Sequence, residues 1–480
     1  MQIRLTVNGE HKELQVEPNE SLLRILRRHG YFGVKHGCET GDCGSCTILL
    51  DGRPVTSCTL RPADADGHAL TTIEGIGTRS NLHPLQRAFV EAGAIQCGYC
   101  TPGMILSAKA LLETNPAPTE KEVREALKGV LCRCTGYVKP VQAVLLAAAR
   151  MRGEDPPLPT PCAETIPISP DRDIDLSSPQ DEPLGEIPWN GGTGLAVQAP
   201  PRIRAAQPGS APEHWRVVGR PEVKVDAIKL ALGKPAFADD LELRGMLHAK
   251  ILHSPVAHAK IKNIDVSKAQ RLPGVRCVLT YRDLPRVVYS TAGQSDPIPG
   301  PLDTFSLDSK VRFVGDRVAL VAADSVEIAE SALRLIEVEY QPLPAVLDPR
   351  DSLKEDAPVL HDESEYVPFG QSDPLHNIAA AIRIDIGDVE AGFRHADFIF
   401  EDEYLVPKVQ QASIEPHVAI TWWDEDDRLV IRTSTQVPFH VRRILAPVLG
   451  LQDKQIRVIK PRIGGGFGGK QEVLIEDAAA

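Results

Sequence analysis

Eight of the ten cysteines in this 480-residue chain lie between Cys38 and Cys134, and their spacing constrains the fold more than any other feature. The stretch VKHGCETGDCGSCTILL sets Cys38, Cys43 and Cys46 with four and then two residues between them, and Cys58 follows after eleven more. This is the spacing of a plant-type 2Fe-2S site. Four thiolates converging on two irons need a short loop that wraps the cluster, and Gly37, Gly41 and Gly44 give that loop backbone freedom and N–H groups free to face the sulfurs. A zinc site would more often pair two CxxC knuckles. The second group is Cys97-x2-Cys100 with Cys132-x-Cys134 in LCRCTGY, both pairs at expected helix ends. Taken alone, its ligand count also suits zinc; beside the first set, a second 2Fe-2S centre is the better reading. Two such centres in consecutive domains make a one-electron wire, and a wire implies a two-electron redox site at one end. Cys162 and Cys277 stand apart and read as structural.

The length suggests about three domains, each able to bury its own core. A formal charge of -12 with no block of like charges argues against a nucleic-acid or anionic-membrane surface. No apolar run approaches the length of a membrane span, and Met1 to Glu10 is strand-like rather than a charged and apolar leader. A cytoplasmic protein is expected, in which many cysteines point to metal or redox chemistry before disulfides.

The first 76 residues read as a β-rich unit: a strand through Ile3, Leu5 and Val7, an Asn8-Gly9 turn, a strand at Leu14 to Val16, a helix near Ser21 to Arg28, and a strand at Thr47 to Leu50 before an Asp51-Gly52 turn. Residues 77–152 read as helical, with four helices, Thr101 as an N-cap before Pro102, and a Thr119/Glu122 capping box. Residues 153–214 hold 13 of the 40 prolines and a single aromatic, Trp189, the composition of a linker without a core. Residues 215–350 mix strands and helices, with a strand expected over 311–322, a helix over 325–335 and a strand over 336–340. A further α/β segment is expected from about His376, within 370–480.

The chain closes on IKPRIGGGFGGKQEVLIEDAAA, with five glycines in the six positions from Gly464 to Gly469. Such a loop can approach a ligand closely. It follows a strand-like segment at 455–460 and precedes an apparent helix over 472–480, an arrangement that favours an anion. Two nucleotide motifs fit its spacing and both fail: a P-loop needs Ser or Thr where Gln471 stands, and a dinucleotide fold needs an acidic residue about 20 residues further on.

Together these motifs resemble the molybdenum hydroxylases, the xanthine dehydrogenase and aldehyde oxidase family. CETGDCGSC resembles its ferredoxin-domain ligands, and QCGYCTPG and LCRCTGY resemble its helical-domain ligands. VGRPEVKVDAIKLALGKPAFADD, SPVAHAKIKNIDVSKA and VRFVGDRVALVAAD are similar to its hammerhead domain. GDVEAGF, IEPHVA, TSTQVPFHVRRILAPVLGL and GGGFGGK are similar to the start of its molybdenum domain. The resemblance implies a multidomain α+β chain: a β-grasp 2Fe-2S ferredoxin domain, a four-helix 2Fe-2S domain, an α/β hammerhead domain and an incomplete molybdopterin-binding α/β domain.

It also implies two 2Fe-2S clusters and molybdopterin with molybdenum, in mononucleotide or cytosine dinucleotide form. Gly465, Gly466, Phe467 and Gly468 would lie against that cofactor, Phe467 and Gly468 nearest the metal. Gln436 would hydrogen-bond a molybdenum oxygen, Gln96 would bridge cluster and cofactor, and Cys134 would be the ligand closest to the pterin. His417 reads as structural. Several departures matter. Residues 153–214 are too short for the family's flavin domain, so electrons would leave to an external acceptor or a flavin subunit. Gln471 stands where purine-oxidising members carry glutamate, which disfavours a purine. The family's catalytic glutamate lies beyond the loop, so no catalytic base is expected in this chain, and a second polypeptide would complete the site around a small-molecule substrate. The rival is an electron-transfer subunit or truncated fragment without molybdenum.

Overall fold

The computed structural model describes residues 1–17, 20–158, 222–292 and 300–480. The expected linker, with Cys162 and Trp189, lies almost wholly outside the described residues. Near the N-terminus, β1 (Gln2–Val7) and β2 (Glu10–Gln15) form a hairpin in which Asn8 and Gly9 both take positive φ, 52° and 86°, as a type I′ turn requires. Helix α1 (Leu22–Arg28) starts at Ser21, whose side chain accepts from the Arg24 N–H. Strands β3 (Thr47–Leu50), β4 (Arg53–Thr56) and β5 (Ala69–Thr71) complete a five-stranded sheet of order β2-β1-β5-β3-β4. Leu22, Leu23, Ile25 and Leu26 of α1 bury against Ile3, Leu5, Val7 and Ile48, so one amphipathic helix closes one face of the sheet. This is the expected β-grasp arrangement.

Four helices follow, α2 (Pro84–Glu91), α3 (Thr101–Thr114), α4 (Glu120–Leu127) and α5 (Val138–Met151). The Thr119/Glu122 capping box forms as expected. The expected N-cap at Thr101 does not: Thr101 is already helical, the cap position is Cys100, and its backbone is itself near-helical at φ −80° and ψ −12°. The cysteine loop therefore runs straight into α3. Short helix α6 (Ala227–Ala231) and Phe237 add Leu230 and an aromatic ring to this helical core.

Next come β6 (His248–His253), β7 (Ala259–Asp265), α7 (Ser267–Gln270), β8 (Val275–Thr280), β9 (Lys310–Val311), β10 (Arg317–Ala323), α8 (Val326–Leu333) and β11 (Glu337–Pro342). They build two three-stranded sheets, β6-β10-β8 and β11-β7-β9, around one shared core. The single strand expected over 311–322 is two strands in different sheets. The chain turns between them at Gly315, whose φ of 97° suits glycine.

In the last segment α9 (Val389–His395) precedes β12 (Ala419–Trp423), β13 (Leu429–Thr433), α10 (Pro438–Leu449), β14 (Ile456–Ile459) and α11 (Glu476–Ala479). Strands β13 and β14 are parallel and joined by α10, a βαβ unit that delivers the chain to the glycine loop. Two expectations need correction. Helix over 472–480 is confined to Glu476–Ala479, because the chain after Lys470 first crosses the protein in turns that bury Val473. The α/β segment expected from His376 contains no strand between 379 and 418 among the described residues. Among the described residues, no helix is long and apolar enough to cross a membrane.

Candidate redox centres and glycine-loop site

The first thiol set sits on the loop between α1 and β3. Glu39, Gly41 and Gly44 all take positive φ there, which folds the loop back on itself. The N–H groups of Thr40 and Cys43 point at Cys38 Sγ from 3.4 and 3.3 Å. Burial opposes ionisation of Cys38, but these donors prevail and bring its thiol down to about 6. Gly37 has no room for a side chain, since a Cβ would stand 2.6 Å from both Cys43 Sγ and Ser45 Oγ. Cys58 comes from the turn after β4, where burial and the neighbouring Cys46 push it up.

The second set joins two loops. Cys97 and Cys100 precede α3, and Cys132 and Cys134 precede α5. Cys100 and Cys134 both interact with Cys132 and drive it toward thiolate, while Cys97 interacts with Cys134. Thr135 Oγ1 donates to Cys132 Sγ at 3.2 Å. All eight thiols are free of disulfides. Among the described residues no three His, Cys, Asp or Glu side chains gather as a cage for one ion. Opposed, mutually polarised thiols with N–H donors on the sulfur suit a dinuclear cluster.

The two sets are stitched by backbone. Leu131 N–H donates to the Cys43 carbonyl at 2.9 Å, and a Cβ on Gly44 would stand 1.9 Å from the Gly129 carbonyl oxygen. Salt bridges add to this: Lys35 and Asp240, both about 1% exposed, meet at 2.8 Å and anchor the segment after α6 to the ferredoxin domain.

The glycine loop leaves β14 and is clamped at both ends by one carboxylate. Glu415 Oε2 accepts from Gly464 N–H at 2.6 Å and from Lys470 Nζ at 2.8 Å, with both side chains fully buried. Burial pushes Glu415 up, and Lys470 and the Gly464 N–H pull it back. Gln436, just past the end of β13, donates its backbone N–H to the Lys470 carbonyl and accepts from Gly468 N–H through Oε1 at 3.1 Å. A Cβ on Gly466 would lie 2.5 Å from that Oε1. His417 Nε2 meets the Gly469 carbonyl at 2.9 Å.

Positive φ at Gly465, Phe467 and Gly468, of 96°, 53° and 92°, aims successive amides to one side. The N–H groups of Gly465, Gly466 and Phe467 make no hydrogen bond among the described residues, and Phe467 stands 47% exposed on a backbone costly for a bulky residue. Such a cradle fits the polar edge of a pterin or metal-bound oxygens. The structure thus gathers Gln436, Gly465, Gly466, Phe467 and Gly468, whereas Gln96 is exposed at the rim of the second thiol set.

Sequence reasoning missed Tyr99 and Glu415 as parts of this assembly, and took Lys470 only as the end of the glycine loop, not as the partner of Glu415. Each lies inside a motif already noticed, but the contacts span tens of residues and carry no spacing signal.

Four families match in chain order. Residues 5–71 match the 2Fe-2S iron-sulfur cluster binding domain, 72–145 the [2Fe-2S] binding domain, 232–344 the aldehyde oxidase and xanthine dehydrogenase a/b hammerhead domain, and 371–480 the molybdopterin cofactor-binding domain. A probable hypoxanthine oxidase from Escherichia coli K12 is 35% identical over all of this chain and 48% of its own length. An aldehyde oxidoreductase from Megalodesulfovibrio gigas is 34% identical over 99% of this chain and 48% of its own. The small FeS subunit of a nicotinate dehydrogenase from Eubacterium barkeri is 50% identical over 31% of this chain and 95% of its own. The solved aldehyde oxidoreductase from Desulfovibrio gigas superposes with a TM-score of 0.78 at 31% identity, over all of this chain and 48% of that one. The chain therefore spans about half the length of the first curated relatives it matches.

Proposed function

Because the chain belongs to the molybdenum hydroxylase family, that of xanthine dehydrogenase and aldehyde oxidase, we propose that it is the electron-relay half, and one wall of the cofactor pocket, of a hydroxylase for an aldehyde or N-heterocycle. The observation that supports this reading is the packing of Tyr99, between Cys97 and Cys100 of the second thiol set, against the start of the glycine loop, where a Cβ on Gly464 would come within 2.6 Å of its ring. Bound in the cradle, molybdopterin with molybdenum would supply two-electron oxidation of an electron-poor carbon with water as the oxygen source. Of this chain's residues, Gly465 to Gly468 would hold the cofactor by backbone N–H groups, and Gln436 would fix the loop while its amide nitrogen remains available to a cofactor oxygen. Glu415 would keep both loop ends in place. Electrons would pass singly through Cys97, Cys100, Cys132 and Cys134, then Cys38, Cys43, Cys46 and Cys58, to an external acceptor or flavin subunit, in the cytoplasm.

The catalytic base and the rest of the pocket would come from the remaining half of the molybdenum domain. Support comes from the stretch 382–409, where Ile382, Ile384 and Ile386 alternate with polar residues and Phe398, Phe400, Leu405 and Val406 follow, all between 69% and 89% exposed. Exposed apolar residues in strand-like alternation that form no strand among the described residues call for a covering chain. Gln471 places a neutral amide directly after the loop and favours an aldehyde over a purine. The test supplies the remaining half and follows turnover of aldehydes, hypoxanthine and nicotinate with an artificial one-electron acceptor in isotopically labelled water. Product carrying oxygen from water supports the proposal. A reconstituted complex with full clusters and no turnover on any class favours the electron-transfer rival.

A further inference from the structure

Tyr99 lies between Cys97 and Cys100 and is 1% exposed, yet its contacts belong to the other two sites. Its hydroxyl donates to the His36 carbonyl at 2.5 Å, two residues before Cys38 on the first cluster's loop. Its ring lies against the start of the glycine loop, so closely that a Cβ on Gly464 would come within 2.6 Å of Cδ2. Phe237 also meets the Tyr99 ring edge-on, at 4.9 Å and 84° between planes. Phe237 is fixed in turn: Lys35 Nζ sits 4.8 Å from its ring centroid, and Arg432 donates to its carbonyl at 2.9 Å. A ring alone would fill the space beside Gly464. The hydroxyl adds a directed tie to one carbonyl in another domain, and a buried hydroxyl without that partner would be unfavourable.

We propose that Tyr99 is a positioning residue that sets the first cluster's loop against the second, through its hydrogen bond to His36. The inference rests on both thiol sets holding 2Fe-2S clusters, but not on molybdenum or on the remaining half of the protein, so it can fail separately from the proposed activity.

The test is Tyr99→Phe in the full chain with both clusters assembled, which keeps the ring against Gly464 and removes only the hydroxyl. Iron per chain and the electron paramagnetic resonance spectrum of the fully reduced protein are recorded. Two reduced clusters held close split each other's signals, so the expected result is wild-type iron with a weakened or broadened splitting and altered first-cluster g values. Loss of iron from the first cluster alone also supports the proposal, since Tyr99 contributes no ligand to that cluster. An unchanged splitting with both clusters full overturns the proposal. So does loss of iron from the second cluster, alone or with the first, which would assign Tyr99 to the packing of its own domain.

Discussion

At the scale of single residues, the site is held by groups whose cost falls on whichever partner is removed. Glu415 and Lys470 are both fully buried and bind each other, with Gly464 N–H on the same carboxylate oxygen. Glu415→Gln leaves an ammonium in the interior without its counter-charge, and removal of one member of such a pair costs about 3–5 kcal/mol. The expected result is a lowered melting temperature, partly restored by adding Lys470→Met; a melt like that of the wild type would show that the pair does not secure the loop. Gly44 is under a different constraint. With φ at 64° and a would-be Cβ 1.9 Å from the Gly129 carbonyl oxygen, Gly44→Ala strains the backbone and pushes the two thiol loops apart. Iron should fall from about four per chain toward about two as the first cluster is lost. Glu363 tests electrostatics away from both sites. Burial alone would raise it, but His361 and Arg312 hold it down to about 2 from its ordinary 4.5. A depressed carboxylate contributes stability above its unfolded value and loses it as pH falls through its folded one. The melting temperatures of wild type and Glu363→Gln should therefore differ at neutral pH and converge between 4.5 and about 2.

At the scale of elements, what was legible in the sequence was what local chemistry fixes. The Asn8-Gly9 and Asp51-Gly52 turns and the Thr119/Glu122 box depend on residues close in the chain, and each stands where it was expected. Thr101 misled because Thr-Pro usually marks a helix start, whereas here the cysteine loop already has near-helical backbone at Cys100. The strand over 311–322 misled because Phe313 and Val314 extend the apolar run across a turn that only Gly315 betrays, and both are exposed. Residues 382–409 carry strand periodicity without a strand, since a ladder needs a neighbour. Replacing Ile382, Ile384 and Ile386 by serine should leave the melt of this chain nearly unchanged, within ~0.5 kcal/mol, because these side chains are solvent-exposed. The same change should abolish binding of the remaining half in a pull-down; an equal loss of stability in the chain alone would mean the segment already packs within it.

At the scale of the whole molecule, three sites on different domains share one buried seam. Lys35 to Asp240 ties the ferredoxin domain to the segment after α6, Tyr99 reaches His36 and Gly464, and Glu415 closes the glycine loop. None of these ties was legible beforehand, because each joins residues far apart in the chain and depends on domain packing rather than on pattern. The seam would let a chain spanning about half of its longer relatives hold the proposed relay and the proposed pocket wall in register. The most direct measurement is iron and molybdenum per chain, by mass spectrometry, on protein purified with and without the remaining half supplied in trans. The expected result is about four irons in both preparations and about one molybdenum only in the complex. Molybdenum held by this chain alone, or about four irons with no molybdenum in a stable complex, would contradict a pocket shared between the two halves.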